Sequence, residues 1–393
     1  MIIYHSEKKP IMSWCDNPEE GALNQAKNLA NLPFAFQHVS LMPDTHQGYG
    51  MPIGGVLATE GVIIPNAVGV DIGCGMCAVK TALTEIDTET LKKILGDIRK
   101  EIPVGRNHNK EAQEEKWMPN IGEFFGITNS VVLKEYNSAM KQVGTLGGGN
   151  HFIEIQKGDD GHIWVMIHSG SRNIGLKVAE YYNELAYDLN KKWHSETFLP
   201  KNKKDSLAFL PVDSIEGQDY IREMQYCVDF ALSNRKLMME KVINIVNKYT
   251  DMQWFDPAIN IAHNYAKLEH HMGRNVWVHR KGATLAEEGT IGIIPGSQGS
   301  SSYIVKGKGE VMSFKSCSHG AGRKIGRKMA QKILNLEEEV RLLDEKGILH
   351  AIRGISDLDE APGSYKEIET VMLEQQDLVE IITKLTPLAV VKG

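Results

Sequence analysis

Cysteine is scarce in this chain of 393 residues. There are five, an odd number at irregular spacing, which excludes a regular disulfide framework and points to a reducing, cytoplasmic setting. Long apolar runs are missing too. None approaches the roughly 20 residues that span a bilayer, so no membrane partner is expected. The opening residues Met1, Ile2, Ile3, Tyr4 and His5 lack the charged, apolar and small-residue order of a secretory leader. Basic charge is not in excess: 44 Lys and Arg against 50 Asp and Glu give a net charge of −6. That excludes a surface coated in positive charge, but not a local basic patch for phosphate. Repeats, low-complexity tracts and clear linkers are also missing, so one large domain over residues 1–393 is expected.

What is present is a globular composition, 42% hydrophobic and 24% charged, with ample material for a core. The glycines gather in a few loops. The chain is organised around Ala67-Val-Gly-Val-Asp-Ile-Gly-Cys-Gly-Met-Cys77. Gly61 to Val70 reads as a buried strand that breaks at Asp71. Gly73 and Gly75 let the backbone bend, so the Asp71 carboxylate and the Cys74 thiol can reach one point. Both are metal-ligand types, and the thiolate favours ions softer than Mg²⁺ or Ca²⁺.

Four histidines extend the pattern. His151 follows Gly144-Thr-Leu-Gly-Gly-Gly-Asn150, and His168 ends the apolar run Ile163-Trp-Val-Met-Ile167. His263 follows Asn260-Ile-Ala262, and His319 lies in Ser316-Cys-Ser-His-Gly-Ala-Gly-Arg323. Each sits in or beside a Gly, Ser or Asn segment next to a strand. With Asp71 and Cys74 they make six candidate groups, more than the four of a structural zinc site. Two metals, or one metal centre plus a reacting histidine, fit that count. The donor types suit Mn²⁺, Fe²⁺, Co²⁺ or Zn²⁺. The glycine loops expose clustered backbone N–H groups, as phosphate sites require. The residues alone therefore imply a metal-dependent enzyme acting on phosphate esters or anhydrides, with hydrolase and nucleotidyl transferase both open. A redox pair at Cys74 and Cys77 is disfavoured, because it opens no clear helix and leaves Asp71 and the histidines unused. Cys15, Cys77, Cys227 and Cys317 read as small buried residues.

Periodicity predicts helices over Asn17–Asn31, over Asp87–Ile98 with Asp87 as cap, and over Tyr220–Tyr249 as core packing. A short helix or arm is expected at Glu135–Val143, a long basic helix from Arg323 to Glu345, and a helix near Ile368 to Leu385. His38-Val-Ser-Leu-Met42 reads as a strand entering a polar loop with Asp44 and His46. Gly105 to Ile127 reads as an irregular surface excursion. The class is mixed α/β.

Eight segments in order carry a further signal: Met42-Pro-Asp44, Gly69-Val-Asp-Ile-Gly-Cys-Gly-Met76, Gly147-Gly-Gly-Asn-His-Phe-Ile-Glu154, His168-Ser-Gly-Ser-Arg172, His263-Asn-Tyr265, Ile294-Pro-Gly-Ser297, Ser316 to Arg323, and Val391-Lys-Gly393. Together they resemble the RNA-splicing ligase RtcB family nearly end to end. The resemblance implies a single mixed α/β domain with central β-sheets flanked by helices. It implies a GTP- and Mn²⁺-dependent ligase joining RNA 3′-phosphate or 2′,3′-cyclic phosphate ends to 5′-hydroxyl ends. Asp71, Cys74, His151, His168 and His263 match the ligands of two Mn²⁺ ions, with Cys74 shared between them. His319 matches the histidine that becomes covalently guanylylated, and Asp44 is our candidate to orient it. The positions Asn150, His151, Phe152, Ile153 and Glu154 match guanylate-binding ones. So do His263 with Asn264, the run Pro295, Gly296, Ser297 and Gln298, Ser302, His319 with Gly320, Ala321 and Gly322, and Lys392. Glu154 would select guanine, and Arg172 would hold phosphate. Arg323, Lys324, Arg327 and Lys328 are candidates for RNA contact. RNA is the expected partner, with an archease-like activating protein as a second and a monomer as the expected state.

Overall fold

The computed structural model describes residues 1–251 and 254–393, with side chains described everywhere in those ranges except 254–257. Two large sheets dominate a mixed α/β architecture. The first has seven strands in the order Trp254–Ala262, Gly75–Thr81, Ile163–Ser169, Phe152–Gly158, Val379–Lys392, Ser302–Gly307 and Ile291–Ile294. The second has six, in the order Ile2–Tyr4, Ile11–Ser13, Ala35–His46, Ile53–Thr59, Arg274–Lys281 and Asn264–His271. Neighbours are antiparallel except Ile11–Ser13 with Ala35–His46. Among the described residues no helix is long and apolar enough to cross a membrane.

The seven-stranded sheet is covered on both faces, and the two-residue period of its strands decides what each face carries. Ile163–Ser169 is buried at every position. Ile163, Val165 and Ile167 pack with Cys77, Val79, Ile153 and Ile155 against Met238, Val242, Ile245 and Val246 of the helix Ile215–Asn247. Trp164 and Met166 face the other way, with Met76, Ala78, Phe152, Ile293 and Ile304. His168 shares that second face and lies edge-on to Phe152, ring centroids 5.6 Å apart. The same alternation puts Glu154 with Phe152 and sends Ile153 into the opposite core.

Several expected elements stand as read. Asp87 caps Thr88–Glu101 through bonds from the Glu89 and Thr90 amides. Helices cover Glu20–Ala30 and Ile215–Asn247, and Val131–Ala139 replaces the arm placed slightly later. All five cysteines are buried and free. Residues 105 to 127 are irregular as expected, with short 3₁₀ turns at Glu115–Trp117 and Gly122–Gly126. They are not a surface excursion throughout, because Met118, Phe124 and Ile127 are buried in the core beside Tyr226.

Others differ, each for a local reason. Gly61–Val70 is not a continuous strand: only Val62–Ile63 pairs, and Pro65 opens the helical turn Pro65–Val68. Proline has no N–H for a ladder but suits the first helical position. The basic segment is two helices, Arg327–Ile333 and Leu336–Glu345. Asn335 divides them, its side chain accepting from the Glu337 and Glu338 amides as a new N-cap. Beyond Ile368–Leu373 the chain turns extended and forms the long strand Val379–Lys392, rich in β-branched residues. The strand at His38 also runs further than expected, to His46. Asp44 is therefore a fully buried strand residue and not part of an open loop.

Candidate active site

The loop after Pro65–Val68 turns at Asp71, where the Cys74 amide bonds the Asp71 carbonyl at 3.1 Å. Three groups hold this turn from below. Asn264 accepts from the Gly73 amide through its backbone and donates its side-chain amide to the Asp71 carbonyl at 3.0 Å. The Cys74 carbonyl accepts from the His263 amide at 2.8 Å. Arg235, fully buried, donates to the Gly73 and Ser169 carbonyls at 2.9 and 2.8 Å, and to Asn260 at 2.8 Å. Burial lowers the Arg235 pKa to about 10, with Cys77, Cys74 and Asp71 working to raise it. It remains a cation, and it ties the strand carrying His168 to the turn carrying Cys74.

The Cys74 thiol points into a cluster. Its Sγ lies 3.4 Å from Nε2 of His151 and 3.3 Å from Nε2 of His168. Nε2 of His151 is 3.0 Å from the Asp71 carboxylate. The other nitrogen of each ring is fixed by a carbonyl, His151 by Leu146 at 3.0 Å and His168 by Asn150 at 3.1 Å. Such contacts set the tautomer that presents Nε2 inward. His151 needs Gly147 behind it: a Cβ there would lie 2.6 Å from His151 Nδ1, and φ is +94°. Four imidazoles then follow in a row, with centroid spacings of 5.3 Å for His151–His168, 5.2 Å for His168–His263 and 4.7 Å for His263–His319.

The electrostatics favour a cation. Burial, then neighbouring histidines, pushes the His168 and His263 pKa values well down, so both rings are neutral donors. Burial works against the Asp71 carboxylate, yet its bond and attraction to His151, with Cys74 and Arg172, hold it below the usual range. Burial and the Asp71 charge push the Cys74 thiol well up, so a thiolate here needs a bound cation. Nδ1 of His263 is buried without a hydrogen-bond partner among the described residues. Ligand atoms of Cys74, His151 and His168 all fall within 4.8 Å of one another. One thiol, neutral imidazoles and a carboxylate are a fitting donor set for a divalent transition metal.

His319 follows the short strand Ser316–Ser318, which pairs with Ala283–Leu285. Arg280, fully buried, steadies it by donating to Ser316 Oγ and the Phe314 carbonyl, both at 2.9 Å. Nδ1 of His319 lies 2.6 Å from Oδ2 of Asp44, which also accepts from the His319 amide at 3.1 Å. Burial alone would raise the Asp44 pKa, and the attraction and hydrogen bond of His319, with His46 and Lys366, bring it below the usual range. The chain crosses Asp44 closely at Gly322, where a Cβ would lie 2.2 Å from the Asp44 carbonyl oxygen.

Asp71, Cys74, His168, His263 and His319 line one cavity of about 820 Å³. Residues 25–393 match the family model described as tRNA-splicing ligase RtcB. The chain is 38% identical to the RNA-splicing ligase RtcB of Escherichia coli strain K12, over 99% of this chain and 98% of that one. It is 32% identical to the tRNA-splicing ligase RtcB of Methanococcus maripaludis, over 96% and 92% of the two chains. The chain belongs to the RtcB family. It is an enzyme of the ligase class.

Of the positions that the RtcB resemblance singled out, the cavity wall holds Asp71, Cys74, His168, His263 and His319. It also holds Asn150, Phe152, Glu154, Asn264, Pro295 to Gln298, Gly320 to Gly322, and Lys392. His151 and Asp44 lie just behind it through the contacts above. Ser302 is buried beside Gln156 and the Gly296 amide. The Ile153 side chain belongs to the far core. Arg172 sits behind the His151 loop, with φ +60°, bonding Thr145 Oγ1 at 3.1 Å and the Gly105 carbonyl at 2.9 Å. The Asn264 side chain is occupied by the Asp71 carbonyl and the Gly282 amide, which donates to it at 2.7 Å.

Sequence reading missed three polar groups in or under this RtcB cavity. Arg235 lies within an apolar helical repeat. Lys281 ends the strand Arg274–Lys281, buried, with its ammonium on the Tyr49 and Asn66 carbonyls. Burial brings its pKa down to about 7. Glu360 gathers Lys392 at 2.7 Å, with Arg327, Arg323 and Tyr365 around it. None has a motif in its own neighbourhood. Arg235 stands between Asn234 and Lys236 on the helix, so nothing in its own neighbourhood separates it from an exposed charge.

Proposed function

We propose that this chain, acting over residues 1–393 as one ligase domain, joins RNA 3′-phosphate or 2′,3′-cyclic phosphate ends to 5′-hydroxyl ends. It uses GTP and Mn²⁺ and passes through a covalent GMP on His319. The observation that carries this reading is the 2.6 Å contact of Asp44 with Nδ1 of His319, beside the histidine row. With Nδ1 occupied, Nε2 keeps its lone pair as a nucleophile. Two Mn²⁺ ions held by Asp71, Cys74, His151, His168 and His263 would supply positive charge against phosphate oxygens.

The chain's own groups account for the rest. Nε2 of His319 bonds to the α-phosphorus of GTP, the bond to the bridging oxygen breaks, and pyrophosphate leaves. The Nδ1 proton stays on the hydrogen bond to Asp44, which stabilises the ring as it gains positive charge. An oxygen of the RNA 3′-phosphate then attacks the same phosphorus and His319 leaves. The RNA 5′-hydroxyl attacks the activated 3′-phosphate, and GMP departs as the phosphodiester forms. A cyclic end is first opened by water. Glu154 accepts from guanine N1–H and N2–H₂, and Lys392 approaches the same base from the neighbouring strand position. Asn150, Phe152, Asn264, the Pro295 to Gln298 turn and the Gly320 to Gly322 backbone complete the guanylate site, with Ser302 and Ile153 supporting it and Arg172 drawn toward phosphate. We assign the enzyme to the cytoplasm as a monomer, with RNA as substrate and an archease-like protein as activator.

Incubation with α-labelled GTP and Mn²⁺ tests this. Label should remain on the protein through an acid-labile bond and vanish in His319→Ala. RNA-end hydrolysis without GTP, unaffected by His319→Ala, would instead identify a phosphodiesterase.

A further inference from the structure

One rim of the cavity carries an aromatic side chain with no structural duty. Tyr49 is 56% exposed, yet it lines the cavity with Val70 and Lys281. Its hydroxyl and ring have no partner among the described residues, while its backbone is tied on every side. The Tyr49 carbonyl accepts from the Met51 amide at 2.8 Å and from the buried Lys281 ammonium. Gly48, just before it, exchanges two bonds with the Gln25 side chain, at 2.7 and 3.1 Å. Gly50, just after it, has φ +67° and would bring a Cβ to 3.0 Å from the Ser206 carbonyl. A ring held out on an immobilised backbone loses little entropy when it binds.

The same cavity is lined by Lys324 and Lys328, both exposed. Their ammonium groups have no partner among the described residues. The two arginines between and before them are committed elsewhere: Arg323 to Glu360 and the Asp359 carbonyl, Arg327 to Asp359 and Glu360. Of the four basic residues after His319, the structure thus leaves the two lysines uncommitted. A stacking face together with unpaired cations on one groove is the chemistry that seats single-stranded nucleic acid. Bases stack on the ring without regard to sequence, and the lysines neutralise backbone phosphates.

We propose that Tyr49, Lys324 and Lys328 seat the single-stranded nucleotides next to the RNA end that enters the cavity, with a base stacked on Tyr49. This rests on the ligase reading above and adds the surface that holds the RNA.

The test separates the two readings. Fluorescence anisotropy with a short single-stranded RNA bearing a 3′-phosphate measures binding without any chemistry. Labelling by α-labelled GTP measures the nucleotide step without RNA. Tyr49→Phe and Tyr49→Trp should bind RNA within about twofold of the parent protein. Tyr49→Ala and Tyr49→Leu should bind roughly tenfold or more weakly, raise the RNA KM with little change in kcat, and keep GTP labelling. Thermal melting checks each fold, and if the alanine variant does not fold, the leucine and phenylalanine pair decides. The double variant Lys324→Gln with Lys328→Gln should flatten the salt dependence of RNA binding by about 1.4 in logarithmic slope, about 0.7 for each contact. Unchanged RNA binding in Tyr49→Leu, or loss of GTP labelling in it, overturns the seat, the latter by assigning the ring to the nucleotide. An unchanged salt slope overturns the role of the lysines. Failure of the parent protein to take label would count against the ligase reading, and the anisotropy series would still decide the role of Tyr49.

Discussion

Oδ2 of Asp44 meets both the ring and the backbone of His319, at 2.6 Å from Nδ1 and 3.1 Å from the amide nitrogen. One carboxylate oxygen so placed fixes the tautomer, the ring orientation and the path of the chain at once. The two residues are 275 positions apart. Asp44→Asn keeps the shape but replaces a charged acceptor with an amide. We expect the rate of GTP labelling to fall by about 100-fold or more, with a smaller effect on GTP affinity. Single-turnover labelling against GTP concentration separates the two.

On the proposed two-metal reading, removing a ligand should weaken metal binding without unfolding the sheets. Cys74→Ala takes away the thiol that approaches both His151 and His168. Mn²⁺ binding by calorimetry should weaken by at least about 100-fold, since loss of even a supporting hydrogen bond at such sites costs 10–100-fold. Arg235→Met acts differently. It strips donors from the Gly73 and Ser169 carbonyls, so we expect about 3 kcal/mol lower stability in chemical unfolding together with weaker Mn²⁺ binding.

On the proposed GTP reading, guanine recognition should move a proton. Burial raises the Glu154 pKa to about 8, with Gln156 and Lys392 pulling the other way, so the carboxyl is protonated at neutral pH. Guanine N–H donors favour the carboxylate. GTP binding at pH 7 should therefore release up to one proton, and the release should fade as pH rises past 8. Calorimetry in buffers of different ionisation enthalpy measures it, and Glu154→Gln should abolish both the proton and most of the affinity. The same raised pKa lets the folded state hold a proton that the unfolded chain has lost. It subtracts stability as pH rises from near 4.5 through about 8.

Glu360 should show the opposite sign. Burial would raise its pKa, but Lys392 and Arg327, with bonds from Lys392 and Tyr365, bring it down to about 2. Its contribution is complete above the unfolded value near 4.5 and is lost as pH falls through about 2, a span worth about 3 kcal/mol. Glu360→Gln should be less stable at pH 7, and its stability should fall less on acidification. Urea midpoints measured from pH 7 down to pH 2 test this.

Much of the site could be read directly from the chain, because its chemistry comes in short local units. Asp71 with Cys74, the glycine run before His151, and Ser316 to Arg323 each pair a reactive side chain with the glycines its backbone needs. Those units were sufficient to imply metal and phosphate chemistry, and their order was sufficient to indicate the family. Local rules also found the Asp87 cap and, read as Tyr220–Tyr249, most of the Ile215–Asn247 helix, where propensity and burial agree.

What only the tertiary structure decided was convergence, and which groups serve it. The row from His151 to His319 exists because the strand Gly75–Thr81 pairs with Ile163–Ser169, and because the His263 amide bonds the Cys74 carbonyl. Arg235, Lys281 and Glu360 owe their roles to burial beside partners remote in sequence, and no local pattern encodes that. The segments misread as a long helix and a continuous strand failed for the complementary reason. A single residue such as Asn335 or Pro65 redirected the backbone, while the helical or strand periodicity around it ran on. Sequence determined which side chains carry the chemistry. The packing of two sheets and one long helix decided where those side chains meet, because distance in space is set by burial and pairing over the whole chain.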